Sequence, residues 1–407
     1  MELIFTLIIG MFICAEHRLY RTFLTPFSII AIVYTVLILI NNFIAVEMGF
    51  YGVSTRSILY IMYFLILIIF TSICFYFLMK KQTSSVKDNA SKYLNNIVYR
   101  NKKTIMSLFL IGLIAKYISL FQAITFYGLP NIKGKAFGLF AHIGNIAVIL
   151  MPYIMLLSFR SKNKIRYLIL IILVYVNLFM FGGKYGVTVS FIHLIITYEM
   201  VQNTNTKKMF KLAAAAMFFG VLIFVIIYSI KPVIIQGYFN RAMFLDSMYF
   251  ALRHFVFYLV SPLIATDYYF NYTNVNLIEG IQILFTVPIN IIKAIFRTGE
   301  YVYPVNPDFT PVSNTYVTNV GGLFAESVYY TGFFVASIYV VFYFCIVYYF
   351  YNKSRYRGEM LSLTALMLAV VAMMFFCNFL TVSGVQLPII YLWIVELFLK
   401  KKFVRKR

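Results

Sequence analysis

The sequence predicts an all-α protein that crosses a lipid bilayer many times, and three observations support this fold class. Apolar residues make up 62% of the 407 residues and the mean hydropathy is +0.86, whereas soluble domains are roughly 45–50% apolar. Only 12% of the residues are charged. The apolar residues fall into long runs, and about 20 such residues form a helix that spans a hydrocarbon core of about 30 Å. We therefore interpret residues 1–407 as a single integral membrane domain.

The apolar runs predict eleven transmembrane helices, at residues 2–15, 24–45, 57–79, 104–127, 137–159, 167–181, 187–201, 210–230, 332–350, 361–380 and 384–400. Because no basic leader precedes the first run, we expect it to be a retained helix and not a removed signal. The helices at 167–181 and 187–201 are short, and Gly182-Gly183-Lys184-Tyr185-Gly186 separates them. This glycine-rich segment is either a tight external turn or a break within the membrane.

The basic residues predict the orientation of the chain, because Lys and Arg accumulate in cytoplasmic loops. If the basic C-terminus is cytoplasmic, alternation of the eleven helices places 25 of the 35 Lys and Arg residues on the cytoplasmic side. The opposite orientation places the same 25 residues outside. The sequence therefore predicts a cytoplasmic C-terminus, an outward N-terminus and a long extracytoplasmic loop over residues 231–331, between transmembrane helices 8 and 9.

Ten basic residues remain after the cytoplasmic set is removed: Arg56, Lys116, Lys133, Lys135, Lys184, Lys231, Arg241, Arg253, Lys293 and Arg297. Lys116 lies in the middle of an apolar helix, where a charge is costly and is either functional or a structural contact to a carbonyl or a wet cavity. Lys184 lies in the glycine-rich segment, where backbone N–H groups and an ammonium could hold an anion. The alternative for Lys184 is an ordinary positive residue in an external turn.

The first half of the long loop contains an amphipathic stretch at residues 241–260. It carries Arg241, Arg253 and His254 among Met, Phe, Leu and Tyr side chains. Such a composition predicts a helix that lies at the membrane interface.

A second amphipathic stretch covers residues 276–299. On a continuous helix it would form one polar stripe, consisting of Glu279, Asn290, Lys293 and Arg297. Pro288 interrupts the stretch, so the stripe depends on the helix passing that residue without a kink. A solvated polar face on a surface helix is the alternative interpretation of both stretches.

Residues 305–332 are polar and glycine-rich immediately before a predicted span. Thr315, Asn319, Glu326 and Tyr330 would share one face of a helix, which would aim an amide and a carboxylate into one cavity. Glu326 is a candidate general base for a hydroxyl if burial makes its carboxylate basic enough to accept a proton near neutral pH. A loop in which Glu326 caps a helix or is solvated is the alternative.

Arginine and lysine residues near aromatic side chains at the outer interface suit a ligand with a diphosphate head and a lipid or sugar body. Arg binds phosphate oxygens with a planar fork, Lys adds a point charge, and sugar rings stack on aromatic faces. Tyrosines are also common at any membrane interface, so the two explanations coexist.

Several other classes of function are not supported by the sequence. It contains no Walker loop, no HExxH and no visible pair of transporter-like repeats. The four cysteines show no metal-ligand spacing, and we expect no metal site, no cofactor and no nucleic acid partner. His142 and His193 stand alone in apolar runs, which favours hydrogen-bonded core residues over ligands.

The chain resembles the bacterial oligosaccharide repeat-unit polymerases, the Wzy-type enzymes of O-antigen and capsule assembly. The resemblance covers the whole plan of many spans, a long outer loop late in the chain and a basic C-terminus. Three local features carry it: Gly182-Gly183-Lys184-Tyr185-Gly186, the pair Arg241 and Leu245, and the run from Thr318-Asn319-Val320 to Tyr330-Thr331-Gly332. The related ligases use a histidine in the last outer loop, whereas residues 305–332 contain none.

The resemblance implies a fold like that of C-type glycosyltransferases and an inverting, metal-independent transfer between two undecaprenyl-diphosphate-linked glycans. It implies catalytic roles for Glu326 or His254. Lys184, Arg241, Arg253, Lys293 and Arg297 would bind the diphosphate, whereas Asn319, Tyr316, Tyr330 and Asp308 would bind sugars. A flippase and a chain-length regulator are implied partners.

Two alternative functions share these features. A lipid-linked oligosaccharide flippase could use the same outer cations and aromatics, although its alternating access favours repeated halves over one dominant loop. An O-antigen-ligase-type transferase would use the same donor with another acceptor.

Overall fold

The computed structural model describes residues 1–79, 86–128, 131–132, 134–135, 138–181, 184–202, 211, 225, 229, 240–272, 276–303 and 309–404. These residues are nearly all helical, which confirms the all-α class. Eight of the described helices are long and apolar enough to cross a membrane, or nine if one bent pair counts as a span. The protein is therefore a multi-pass membrane protein. The predicted helix at 210–230 lies mostly outside the described residues, so the count of eleven stays a prediction.

Before residue 240, the part of the chain that the structure describes contains eight α-helices with defined bounds. In chain order they are α1 Glu2–Tyr20, α2 Pro26–Ile40, α3 Thr55–Met79, α4 Val86–Tyr93, α5 Lys102–Tyr127, α6 Gly138–Ser158, α7 Lys164–Met180 and α8 Lys184–Gln202. Short π-helical turns extend α2 over Asn41–Ala45 and α4 over Leu94–Tyr99. The segment 80–103, predicted to be a cytoplasmic loop, thus contains a folded helix.

The elements after residue 240 are six helices and a small hairpin. They are α9 Arg241–Asn271, α10 Leu277–Leu284, α11 Thr286–Phe296, strands β1 Thr310–Pro311 and β2 Val317–Thr318, α12 Gly322–Arg357, α13 Leu361–Met373 and α14 Ser383–Val404. The two strands pair antiparallel, and a 3-10 turn at Phe379–Thr381 lies between α13 and α14.

Three of these elements differ from the sequence-based expectation. The interfacial helix predicted at 241–260 continues to Asn271, because residues 256–270 are apolar and many of them are buried. The stretch 276–299 is not one helix, since α10 and α11 meet at Phe285 with a bend of 83°. The predicted stripe that joins Glu279 to Asn290, Lys293 and Arg297 is therefore wrong. Pro288 lies in the first turn of α11, where no backbone N–H is needed.

The segment before the late span also differs from expectation. Thr315 and Asn319 belong to the hairpin and the turn after it, and the helix begins only at Gly322. The prediction of one helical face shared by Thr315, Asn319, Glu326 and Tyr330 is therefore wrong, although Glu326 and Tyr330 do lie one turn apart on α12. Gly332 has a non-helical backbone (φ 73°, ψ 169°) and kinks α12 where the predicted span begins.

The chain forms two compact units. The first contains Met1–Ile73, Asn205–Phe344 and Ala372–Thr381, and the second contains Cys74–Thr204, Cys345–Val371 and Val382–Arg407. In the first unit, stacked rings of Tyr34, Phe324 and Phe64 form part of the core. Burial of such large apolar side chains is the main source of stability in the parts of the fold that exclude lipid and water.

In the second unit, α5 and α6 pack closely because small residues lie at their contact. Gly112 of α5 faces the backbone of Ala147, and Gly144 of α6 faces Lys116. Lys116 is 7% exposed, and its backbone carbonyl accepts a hydrogen bond from the side-chain amide of Asn177 (3.1 Å). Small residues at a helix contact allow the close approach typical of membrane helices.

Candidate substrate-binding site

Arg253 and Tyr316, two of the residues singled out in the sequence, meet in the first unit. The Arg253 guanidinium carbon lies 5.2 Å from the centre of the Tyr316 ring and 5.7 Å from the centre of the Phe50 ring. Both distances fit cation–π contacts. The two ring centres are 5.7 Å apart, so the cation packs on a pair of neighbouring rings that come from distant parts of the chain.

The hairpin brings Tyr316 to this position. Ser313 forms a β-bridge with Phe50, and the backbone N–H of Tyr51 donates to the carbonyl of Val312 (2.9 Å). The backbone N–H of Tyr316 donates to the Ser313 hydroxyl (3.0 Å), which tightens the turn between the strands. Thus the short segment after α2 and the hairpin before α12 form one wall beside α9.

Arg253 has no acidic partner among the described residues. The three ion pairs found there involve the N-terminus, Lys353 and Lys400, and none of the described cations of the predicted outer side. The Nε of Arg253 is buried and forms no hydrogen bond with described groups. A buried guanidinium nitrogen without an acceptor is costly, so the arrangement suits an anionic ligand that supplies the missing acceptor.

His254 follows Arg253 on α9 and lies in an aromatic row. Its ring stacks with Phe250 (centroids 5.8 Å apart) and Phe257 (5.8 Å), and Tyr258 approaches it edge-on at 4.8 Å. Phe257 also contacts Tyr316 (5.0 Å), so the row joins the wall around Arg253. We call Arg253, His254, Phe50, Phe257 and Tyr316 the arginine–aromatic site.

Glu326 lies in the first turns of α12 and is 5% exposed. Its Oε1 accepts a hydrogen bond from the backbone N–H of Gly321 (2.9 Å), and its Oε2 accepts one from the backbone N–H of Asn378 (2.8 Å). The carboxylate therefore faces the protein backbone. The capping alternative raised from the sequence describes this geometry better than an exposed base.

Three other predicted diphosphate ligands, Arg241, Lys293 and Arg297, make no contact with the arginine–aromatic site among the described interactions. Arg241 is the exposed first residue of α9, twelve residues or about 18 Å along the helix from Arg253. Lys293 donates to the carbonyl of Glu300 (2.6 Å), and Arg297 is an exposed C-cap with a left-handed backbone (φ 53°). These two cations stabilise or flank the end of α11.

The predicted sugar ligands are also dispersed. Asn319 is half-buried in the turn before α12, and Tyr330 is buried against Tyr329 (5.3 Å). Asp308, Gly182 and Gly183 lie outside the described residues, and of Lys184 only the backbone, at the start of α8, is described. The proposed roles of these residues stay predictions.

Three buried carboxylates of the described residues, Glu16, Glu199 and Glu396, were not singled out from the sequence. Glu396 of α14 is 3% exposed and accepts hydrogen bonds from the hydroxyls of Tyr93 (2.9 Å) and Tyr153 (2.6 Å) and from the backbone N–H of Ser362 (3.1 Å). Glu16 of α1 is fully buried and accepts from Thr25, Ser28 and Ser72. The available signal was the rarity of an acidic residue inside an apolar run, the same signal that identified Lys116.

The two isolated histidines differ in burial: His193 is 1% exposed, whereas His142 is an exposed side chain. The Nε2 of His193 lies 2.9 Å from the carbonyl oxygen of Ser362, and the Nδ1 of His142 lies 3.3 Å from the hydroxyl of Tyr391. The prediction of a hydrogen-bonded core residue is confirmed for His193. For His142 it is wrong, because the side chain is hydrogen-bonded but exposed. Neither lies in a group of metal ligands among the described residues.

The fold and the site define a multi-pass helical membrane protein in which an arginine packs on two aromatic rings and has no acidic partner among the described residues. Comparison with protein-family models, with curated proteins and with solved structures finds no match for the chain.

Proposed function

We propose that the protein is a membrane glycosyltransferase that polymerises oligosaccharide repeat units carried on undecaprenyl diphosphate. The product is a surface polysaccharide of the O-antigen or capsule type, made on the outer side of the bacterial cytoplasmic membrane with the C-terminus in the cytoplasm. The proposal rests on the resemblance in sequence plan and on the arginine–aromatic site.

The observation that carries the proposal is the state of Arg253. Its guanidinium is held by Phe50 and Tyr316, has no acidic partner among the described residues and keeps one buried nitrogen without an acceptor. A diphosphate supplies several acceptor oxygens and the compensating negative charge. The surrounding rings can pack on the apolar faces of a sugar next to that diphosphate.

In the proposed reaction, the non-reducing-end hydroxyl of a new repeat unit attacks the reducing-end carbon of the growing glycan. A new glycosidic C–O bond forms as the bond from that carbon to the diphosphate breaks, and undecaprenyl diphosphate leaves with the electron pair. Arg253 stabilises the charge that develops on the leaving oxygen. His254 accepts the proton of the attacking hydroxyl, since it neighbours Arg253 and its carboxylate competitor Glu326 faces the backbone.

A length-resolved transfer assay tests this function. Purified protein is incubated with lipid-linked repeat units, and the products are separated by the number of repeats. A ladder of products supports a polymerase, whereas an unchanged donor would indicate a flippase and transfer to a different acceptor would indicate a ligase. Protein with Arg253→Ala serves as the inactive control for the ladder.

A further inference from the structure

We propose that Glu326 is a positioning residue that fastens the non-helical segment 374–381 against the start of α12 and thereby supports the arginine–aromatic site. This inference rests on the proposed function only for the identity of the supported site. The fastening itself is a property of the fold and can be measured without any substrate.

The two carboxylate oxygens of Glu326 connect two pieces of backbone. Oε1 binds the N–H of Gly321, just before α12, and Oε2 binds the N–H of Asn378, between α13 and α14. Asn378 is 1% exposed, so its N–H would be left buried without this acceptor. A buried N–H without a partner is unfavourable. A carboxylate that accepts hydrogen bonds from both segments therefore holds them together.

Further contacts hold the same two segments together. The backbone N–H of Leu323 donates to the carbonyl of Met374 (2.8 Å). Gly322 has a left-handed backbone (φ 74°), and a Cβ at this residue would lie 2.6 Å from the carbonyl oxygen of Phe375. Gly321 leaves room for the ring of Tyr269. The start of α12 is therefore pressed between α9 and the segment 374–381.

The fastened segment reaches the arginine–aromatic site through aromatic contacts. The Phe376 ring lies 6.4 Å from that of Tyr258, which in turn approaches His254 edge-on. On the other side, the 3-10 turn at Phe379–Thr381 contacts α10 and α11. Release of the segment would therefore remove the support behind Tyr258 and His254 while leaving Arg253 and Tyr316 chemically intact.

A glutamine at residue 326 cannot accept hydrogen bonds from both segments. Its single carbonyl oxygen accepts from one segment, and its NH₂ group then faces the second backbone N–H, donor against donor. An aspartate keeps the charge but is one methylene shorter, so it reaches only one segment. Both Glu326→Gln and Glu326→Asp are thus expected to release the segment. If Glu326 were a general base instead, Glu326→Asp would keep a carboxylate that can accept the proton.

The native cysteine Cys377 reports the release directly, because it is half-buried and lies next to Asn378. In protein whose other cysteines are replaced by serine, the rate of alkylation of Cys377 by N-ethylmaleimide is measured in detergent at pH 8. We expect Glu326→Gln and Glu326→Asp to raise that rate at least tenfold. Glu279→Gln, a change at an exposed acid of α10, is the matched control and should leave the rate unchanged.

The length-resolved transfer assay separates positioning from proton transfer. Both Glu326 variants should polymerise more slowly, with a raised KM and the pH profile of the parent protein. Unchanged Cys377 alkylation in Glu326→Gln would overturn the proposal, as would normal alkylation and activity in Glu326→Asp. If the Glu326→Gln protein does not elute as a folded species, the Cys377 alkylation rate and the activity of Glu326→Asp decide whether the proposal holds. A parent protein that makes no ladder would refute the proposed function and leave the alkylation result valid.

Discussion

At the scale of single residues, burial and hydrogen-bond partners distinguish the predicted diphosphate-binding cations, which the sequence alone does not rank. Lys293 is bound to a carbonyl, Arg241 and Arg297 are exposed, and Arg253 packs on two rings with one buried nitrogen that has no acceptor among the described groups. Only the last arrangement leaves an unsatisfied buried donor. We therefore assign the diphosphate to Arg253 ahead of the other predicted ligands.

Replacement of Arg253 should remove polymerisation. Arg253→Ala is expected to lower the transfer rate at least hundredfold, because stabilisation of the leaving group typically contributes several kcal/mol. Arg253→Lys should recover little, since an ammonium lacks the planar fork and the stacking face. Arg241→Ala should keep most of the activity; equal losses in Arg241→Ala and Arg253→Ala would contradict the assignment. The measurement is the rate of ladder growth.

Replacement of His254 by phenylalanine tests the proposed base. The new ring can keep the stacking with Phe250 and Phe257 but cannot accept a proton. General-base catalysis typically contributes about 10²–10⁴ in rate, so kcat should fall by at least a hundredfold with a smaller change in KM. A variant within threefold of the parent would show that the acceptor hydroxyl is deprotonated by another group.

At the scale of elements, close helix contacts depend on residues without side chains. Gly112 of α5 lies against the backbone of Ala147, whereas Gly10 of α1 has open space around it. An added methyl group at residue 112 would lie 2.6 Å from the Ala147 nitrogen, so the two helices would have to move apart. The same substitution therefore has opposite consequences at the two glycines.

Gly112→Ala should destabilise the protein, and Gly10→Ala should not. Overpacking typically costs about 1–3 kcal/mol, whereas alanine in an open helix position gains up to about 1 kcal/mol over glycine. Thermal unfolding of the purified variants in detergent gives the comparison. A Gly112→Ala midpoint at or above that of Gly10→Ala would show that α5 and α6 are not in close contact.

At the scale of the whole molecule, α9 is long enough to cross the membrane, yet its contacts favour a course along the surface. Arg253 and Phe257 contact the segment around Phe50, and Asp267 accepts from the backbone N–H of Ser54 (3.1 Å), just before α3. Residues 253 and 267 are about 21 Å apart on the helix. Both therefore lie at the connection between α2 and α3, which a helix across the bilayer would leave.

The surface course predicts which residues reagents can reach. In spheroplasts of a cysteine-free variant, Tyr249→Cys and Tyr272→Cys should both react with a membrane-impermeant maleimide from outside. Lys162→Cys, in a predicted cytoplasmic segment, should react only after permeabilisation. If exactly one of the α9 cysteines is protected until permeabilisation, α9 crosses the membrane and the predicted loop 231–331 is divided.

The sequence by itself determined the all-helical membrane class and most of the helices. A membrane span is a run of apolar residues that are adjacent in the sequence, so it can be recognised without knowledge of the tertiary structure. The sequence also singled out Arg253, His254 and Tyr316, which the structure brings into one cluster. The prediction of a helical face through Thr315 and Asn319 was wrong, because β-pairing of this segment with a distant residue, Phe50, overrides the local periodicity.

Only the tertiary structure decided which predicted residues meet. Arg253 contacts both Phe50 and Tyr316 because strand pairing joins segments more than two hundred residues apart, and no local pattern encodes that contact. Glu326 faces the backbone of Asn378 for the same reason, since a buried carboxylate takes the donors that the fold leaves unpaired. Composition determines that the chain enters the membrane, and long-range packing determines which of its charged side chains meet aromatic rings and which meet backbone groups.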